Sequence, residues 1–206
     1  MTESRVATCS RRTAETEVDG RLCLDGSGRA AIDTGIGFLD HLLAAIVRHA
    51  RFDLELRVRG DLHVDDHHSA EDAALAFGGL VDRALGERRG IRRFGDALVP
   101  LDESLVRCAL DLSGRPGAFV ELGLRRERLG TLATENVTHC FRSFAVAARA
   151  TLHLDVLRGE NDHHRAEAAA KALALALRAA VAVDVPRGFG HTDLAAVPVP
   201  STKEVL

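Results

Sequence analysis

The pattern His-His-x-x-Glu occurs twice in this chain, as His67-His68-Ser69-Ala70-Glu71 and as His163-His164-Arg165-Ala166-Glu167. Imidazole nitrogens and carboxylate oxygens are the donors that borderline and hard divalent cations share. Residues i and i+4 lie on one face of a helix, so His67 can chelate with Glu71 and His163 with Glu167. Residue i+1 is turned about 100° away, so His68 and His164 point elsewhere. This favours a swapped arrangement: one cation takes His67, Glu71 and a histidine of the second pair, and the other takes His163, Glu167 and a histidine of the first. A blander reading, in which each pair caps a helix or lines a polar surface, stays open on these residues alone.

The elements around both patterns correspond. Residues 52–64 alternate Leu54, Leu56 and Val58 with Glu55, Arg57 and Arg59, the period-two signature of a half-buried strand leading into the first histidine pair. Over residues 70–85, Ala73, Ala74, Phe77, Leu80, Val81 and Ala84 recur at helical spacing, and Gly86 stops them. Residues 150–157 repeat the strand with Leu152, Leu154 and Val156. A turn at Gly159-Glu160-Asn161-Asp162 leads into the second pair, and a second helix is expected over 168–183.

A further histidine precedes each strand at what reads as a helix start, His41 in Asp40-His41-Leu42 and His139 in Thr138-His139-Cys140. His41 and His67 are 26 residues apart, and His139 and His163 are 24 apart, so the chain reads as a duplicated helix, strand, histidine-pair, helix unit. The expected halves are residues 1–89 and 90–206. Strand-like segments at 22–32 and 97–112 complete them, and 86–95 and 114–130 are expected to be surface loops. The fold class is α+β, an internally duplicated sheet/helix unit in which a helix layer packs against sheet. His41, His67, His68, Glu71, His139, His163, His164 and Glu167 make eight candidate ligands. Two octahedral cations need about twelve positions, which leaves some for substrate and water, as in a catalytic site.

The bulk composition narrows the function classes. The chain has 206 residues, 46% of them hydrophobic, enough to bury a real core. Its 27 basic and 30 acidic residues are interspersed, so no basic stripe argues for nucleic acid. Cys9, Cys23, Cys108 and Cys140 show no Cys-x-x-Cys spacing and fit reduced thiols in a cytoplasm. The first residues lack the apolar run of a secretion signal, and Lys171, Arg178 and Asp184 interrupt the longest apolar stretch, so neither secretion nor a membrane span is expected.

A second group of residues suits a small anion. Arg92-Arg93-Phe94-Gly95-Asp96, Ser113-Gly114-Arg115-Pro116 and Pro200-Ser201-Thr202-Lys203 each join a cation to turn residues that can offer backbone amides. Lys171 lies four residues after Glu167, on the same side of its helix. Asp40 and Asp72, beside candidate ligands, read equally as acceptors that fix imidazole tautomers or as helix-start charges. His63, His153 and His191 have no support from the repeat.

Long, ordered runs carry a resemblance: Asp33-Thr34-Gly35-Ile36-Gly37-Phe38-Leu39-Asp40-His41, both histidine patterns, Arg89-Gly90-Ile91-Arg92-Arg93-Phe94-Gly95-Asp96, Leu110-Asp111-Leu112-Ser113-Gly114-Arg115-Pro116 and Pro200-Ser201-Thr202-Lys203. Over nearly its whole length the chain resembles the imidazoleglycerol-phosphate dehydratase family. The resemblance implies a cytoplasmic lyase of histidine biosynthesis that converts imidazole glycerol phosphate to imidazole acetol phosphate with two Mn²⁺ per active site. It also implies a duplicated α+β subunit in a shell of 24 copies, with active sites between subunits. The family's metal ligands fall on the eight residues above, and the histidines of the two patterns and His41 also border the substrate. Its phosphate-binding positions fall on Arg93, Arg115, Lys171, Ser201 and Lys203, and Thr202 between the last two counts with the substrate-binding residues. His49 matches a substrate contact, and Glu15 matches an N-terminal glutamate that reaches the substrate.

The proton lost from C2 of the glycerol chain has no neighbouring carbonyl to acidify it, so the ring must help. Cations on the ring nitrogens favour imidazolate, which expels the adjacent hydroxyl and leaves a diazafulvene-like species whose C2 proton is acidic. Glu15 is then the candidate acid/base, with Glu71 and Glu167 tied to the cations. Two departures from the family stand out: Gly37 replaces a usual proline, and Glu204 replaces a usual glycine after Lys203. Two other classes use similar ligands, a dinuclear phosphoester hydrolase and a metal-storage shell, although the storage signature runs Glu-x-x-His on a helical bundle.

Overall fold

The computed structural model describes residues 5–185 and 196–201. In the first half, strands β1 (Val6–Arg12), β2 (Thr16–Cys23) and β3 (Ala30–Asp33) are followed by helix α1 (Gly37–Ala50), strand β4 (Asp53–Gly60) and helix α2 (His67–Leu85). The second half runs β5 (Phe94–Leu101), β6 (Ser104–Asp111), β7 (Gly117–Glu121), a short hairpin of β8 (Arg128–Leu129) and β9 (Leu132–Ala133), then α3 (Thr134–Ala147), β10 (Thr151–Arg158) and α4 (Asp162–Ala180). The strand orders are β1-β2-β4-β3 and β5-β6-β10-β7. In both sheets the last strand, β3 or β7, runs parallel to its neighbour and the other pairs are antiparallel. The chain is therefore an α+β fold of two similar sheet/helix halves.

Side-chain patterning explains the layers. On β4, Leu54, Leu56 and Val58 are buried while Glu55, Arg57 and Arg59 face out opposite Arg21, Asp19 and Glu17 of β2, so one face of that sheet packs and the other carries cross-strand charge pairs. Helix α2 lies on β1, β2 and β4, and α4 on β5 and β6. The two helix layers then meet: α2 packs on α3, and α1 on α4. Helix-over-sheet thus holds within each half, whereas across the chain the four helices are enclosed between two sheets. That enclosure explains why α4 is apolar almost all round, with Ala168, Ala169, Ala170, Ala172, Leu173, Ala174, Ala176 and Leu177 all buried. Its alanines permit a close approach to β5, where a Cβ on Gly95 would run into the carbonyl oxygen of Ala176.

Three expectations require correction. Residues 22–32 are not one strand, because β2 ends at Cys23 and β3 begins at Ala30. The segment 97–112 is a hairpin, turning at Asp102, whose φ is 48°. The presumed loop 114–130 contains β7, a five-residue strand whose pairing with β10 outweighs the flanking proline and glycine signals. Both long helices also start earlier than the apolar periodicity, at His67 and Asp162, so each histidine pair lies inside a first helical turn. Among the described residues no helix is long and apolar enough to cross a membrane.

Candidate metal centre

The first turns of α2 set His67 and Glu71 on one face, with His67 Nε2 3.9 Å from Glu71 Oε2. Because α3 packs across α2, His139 reaches the same carboxylate, its Nε2 2.9 Å from Glu71 Oε1. The matching event at α4 places His163 Nε2 3.2 Å and His41 Nε2 3.3 Å from Glu167 Oε2. In each cluster the three donor atoms lie within 4.8 Å of one another. Ligands at right angles on a divalent ion sit about 3 Å apart, so two imidazoles and a carboxylate at these spacings fit such a cation. Each cluster is completed by the opposite half of the chain: His139 of the second half joins the first pattern, and His41 of the first half joins the second.

The exchange between halves was expected, but through different residues. The third member of each cluster comes from α1 or α3, and the second histidine of each pair turns away as the 100° rotation requires. His68 Nδ1 meets Asp61 Oδ2 at 3.1 Å, and its Nε2 lies 3.8 Å from Glu15 Oε2. His164 Nδ1 meets Glu103 Oε2 at 2.7 Å. The Asp61 and Glu103 hydrogen bonds push both imidazole pKa values upward. Glu103 itself, accepting from the Asn161 backbone N–H, from His164 and from the Glu160 N–H, is held well below the usual glutamate range.

Supporting residues were only partly legible. Asp40 and Asp72 do not touch the imidazoles among the bonds described: Asp40 accepts from Thr34, fastening the turn before α1, and Asp72 from Thr16 and Arg11 at the sheet edge. The acids beside the site are instead Asp66 and Asp162, buried and one residue ahead of each pattern. Asp66 accepts from the Ala133 N–H, and Asp162 from the Arg125 and Arg126 N–H groups. Burial works to raise the Asp66 carboxyl, but the bonds from Ala133 and from the Asn136 side chain outweigh it and leave its pKa lowered. Extending the repeat backward to Asp-His-His-x-x-Glu would have found both. Asn136, 3.0 Å from His67 Nδ1 through its Oδ1, had no such signal.

The anion-directed residues divide into two places. Lys171 Nζ lies 2.9 Å from Glu167 Oε1. Burial pushes Glu167 up, yet hydrogen bonds from Lys171 and His41 hold its pKa at about 2. His49 belongs to this neighbourhood, its pKa lowered by burial and by the charge of Lys171. Arg93 lies elsewhere, its Nε 2.7 Å from Asp111 Oδ1 and its Nη1 donating to Pro200 O at 2.7 Å. Arg115 stands 3.9 Å from the same aspartate, and Ser201 follows Pro200. Thr202, Lys203, Glu204 and His191 lie outside the described residues.

A duplicated α+β fold whose halves exchange histidines to complete two imidazole–carboxylate clusters defines a class of protein equipped for divalent cations. Residues 34–177 match the family model for imidazoleglycerol-phosphate dehydratase. Among curated relatives, the imidazoleglycerol-phosphate dehydratase of Methylorubrum extorquens is 50% identical over 202 residues, covering 98% of this chain and 100% of that protein. The one from Phytophthora nicotianae is 54% identical over 98% of this chain, which spans only 42% of that longer protein. The crystal structure of the Staphylococcus aureus enzyme superposes with a TM-score of 0.78 at 32% identity, covering 86% of this chain and 99% of that one. The chain belongs to the imidazoleglycerol-phosphate dehydratase family and is, with it, a hydro-lyase of histidine biosynthesis.

Proposed function

We propose that the chain dehydrates imidazole glycerol phosphate to imidazole acetol phosphate in the cytoplasm, using two Mn²⁺ ions per active site. The observation that carries this reading is the pair of clusters, His67–Glu71–His139 and His41–His163–Glu167, whose donors fit such ions. When bound, the cations supply positive charge at the substrate's ring nitrogens and so favour the ionised imidazole.

The chain's own groups then have separate tasks. Glu71 and Glu167 are committed to the clusters and make poor bases. The Glu15 carboxylate is more than half exposed and belongs to neither cluster, so it can take the C2 proton, and its place beside His68 brings it to the ligand set. Lys171, Arg93, Arg115, Ser201, Thr202 and Lys203 hold the phosphate, with His49 bordering the substrate near Lys171.

The 24-copy shell is what the family resemblance implies, and two features support active sites between subunits. His68 and His164 point away from their own clusters, each held through Nδ1 by a carboxylate, which leaves Nε2 to serve a neighbour's cluster. The Arg93 backbone N–H donates to Ala180 at the far end of α4, and 13 residues of helix separate Ala180 from Glu167, about 20 Å along the axis. A three-carbon glycerol chain does not span that distance, so a substrate whose ring sits at Glu167 and whose phosphate is held by Arg93 draws on two copies.

The deciding experiment incubates purified protein with imidazole glycerol phosphate after chelation and after Mn²⁺ is restored. The expected result is Mn²⁺-dependent ketone formation with the phosphate ester intact. Release of inorganic phosphate instead would assign the chain to the hydrolases.

A further inference from the structure

We propose that Asn136 is a positioning residue which locks the His67 imidazole as an Nε2 donor and makes His67–Glu71–His139 the tighter of the two cation sites. The inference rests on the reading of both clusters as cation sites. A neutral imidazole carries one N–H, so coordination through Nε2 requires the proton on Nδ1. His67 Nδ1 lies 3.0 Å from Asn136 Oδ1. A side-chain amide can present either its oxygen or its NH₂. The Asn136 oxygen faces His67, and the Asn136 side chain is among the groups that lower the pKa of Asp66, which fits an NH₂ directed at that carboxylate, a group that only accepts. The carboxylate is itself pinned by the Ala133 N–H at 2.6 Å. Asn136 is 4% exposed, so water does not compete for these bonds. Because Asn136 precedes His139 by three residues, one face of α3 both orients His67 and supplies a ligand beside it.

Among the described residues the other cluster has no such amide. His41 precedes Asp53 at the start of β4 by 12 residues, and His139 precedes Thr151 at the start of β10 by 12, so α1 and α3 are in register. The place matching Asn136 on α1 is therefore Phe38. Its ring makes a T-shaped contact with His163, centroids 5.1 Å apart. A phenyl ring has no lone pair for an imidazole N–H, and among the described residues no hydrogen bond holds His163 Nδ1, so Phe38 does not fix its tautomer. The duplicated sites thus share ligands and differ in what holds the ligands.

The test isolates each site by removing the other's carboxylate, with Mn²⁺ titrated into the assembled protein and free Mn²⁺ read by electron paramagnetic resonance. Glu167→Gln leaves the Asn136-supported site, and Glu71→Gln leaves the Phe38 site. Asn136→Leu is expected to weaken Mn²⁺ binding tenfold or more in the Glu167→Gln protein, the range about 10- to 100-fold being usual for such partners. It is expected to leave the Glu71→Gln protein within about twofold. Equal losses in both, or no loss in either, overturn the inference, since a general structural effect does not choose between sites. If Asn136→Leu fails to assemble, the two single-site proteins with Asn136 intact still decide: Glu167→Gln must bind Mn²⁺ more tightly than Glu71→Gln, and the reverse order or equality overturns the inference. Absence of Mn²⁺ binding in the wild-type protein itself overturns the cation-site reading and this inference with it.

Discussion

His139 Nε2 lies 2.9 Å from Glu71 Oε1, a contact that closes across 68 residues of chain and joins the two halves of the duplication at one carboxylate. If that contact marks a shared ligand set, removing either partner disables the same cation. Glu71→Gln and His139→Ala should each lower bound Mn²⁺ by one per chain and reduce turnover about 10²-fold or more. The double variant should lose scarcely more than either single one. Elemental analysis of the dialysed protein and a turnover assay check this, and additive losses would separate the two residues.

Glu15 is predicted to act on the proton and not on the cation. Glu15→Gln should bind Mn²⁺ and substrate as the wild type does while kcat falls by about 10²- to 10⁴-fold. Wild-type kcat in that variant would remove Glu15 from the mechanism.

Arg93 and Arg115 should respond differently although both approach Asp111. The Arg93 side chain is 12% exposed and bonds Asp111 and the Pro200 carbonyl, whereas that of Arg115 is 66% exposed and 3.9 Å away. Arg93→Ala should destabilise the fold by about 2–3 kcal/mol as well as weaken substrate binding. Arg115→Ala should raise KM about tenfold with little change in stability. Thermal unfolding and steady-state kinetics on both variants separate the two effects.

Gly37 is the first residue of α1, with nothing within 4 Å of a Cβ added there, and Ile36 before it is extended at φ −120°, ψ 94°. Proline is favoured at a first helical position and requires an extended predecessor. Gly37→Pro should therefore stabilise the protein by about 0.5–1 kcal/mol, chiefly by restricting the unfolded chain, and leave kcat/KM unchanged. A lowered unfolding midpoint would contradict this.

The Asp53 carboxylate accepts from the Ser27, Gly28 and Arg29 N–H groups and from the Arg29 guanidinium, tying the turn before β3 to the start of β4. Led by the Arg29 side chain, these bonds hold its pKa far below the usual aspartate value. A depressed folded pKa gives stability that is present above the unfolded value of about 4 and lost as pH falls below it. Asp53→Asn should unfold at lower temperature than the wild type at pH 7, with the gap narrowing below about pH 4. A gap constant down to pH 3 would exclude this linkage.

Much of the fold was readable because the signals are local. Alternation over residues 52–64 and 150–157 marks β4 and β10, and the i, i+4 spacing places each glutamate beside its histidine whatever the helix packs against. The matching offsets from His41 to His67 and from His139 to His163 expose the duplication. By contrast β7 is five residues between turn formers, and only its pairing with β10 makes it a strand.

The residue types, their helical spacing and their repetition were thus determined by the sequence itself, because backbone periodicity alone decides which neighbours share a face. Which helix crosses which was decided only by the tertiary structure. That His139 closes on Glu71 and His41 on Glu167, and that Asn136 rather than a phenyl ring supports His67, depend on how α1 to α4 pack between the sheets. Such packing sums many weak contacts between residues distant in the chain, and no short stretch of sequence contains that sum.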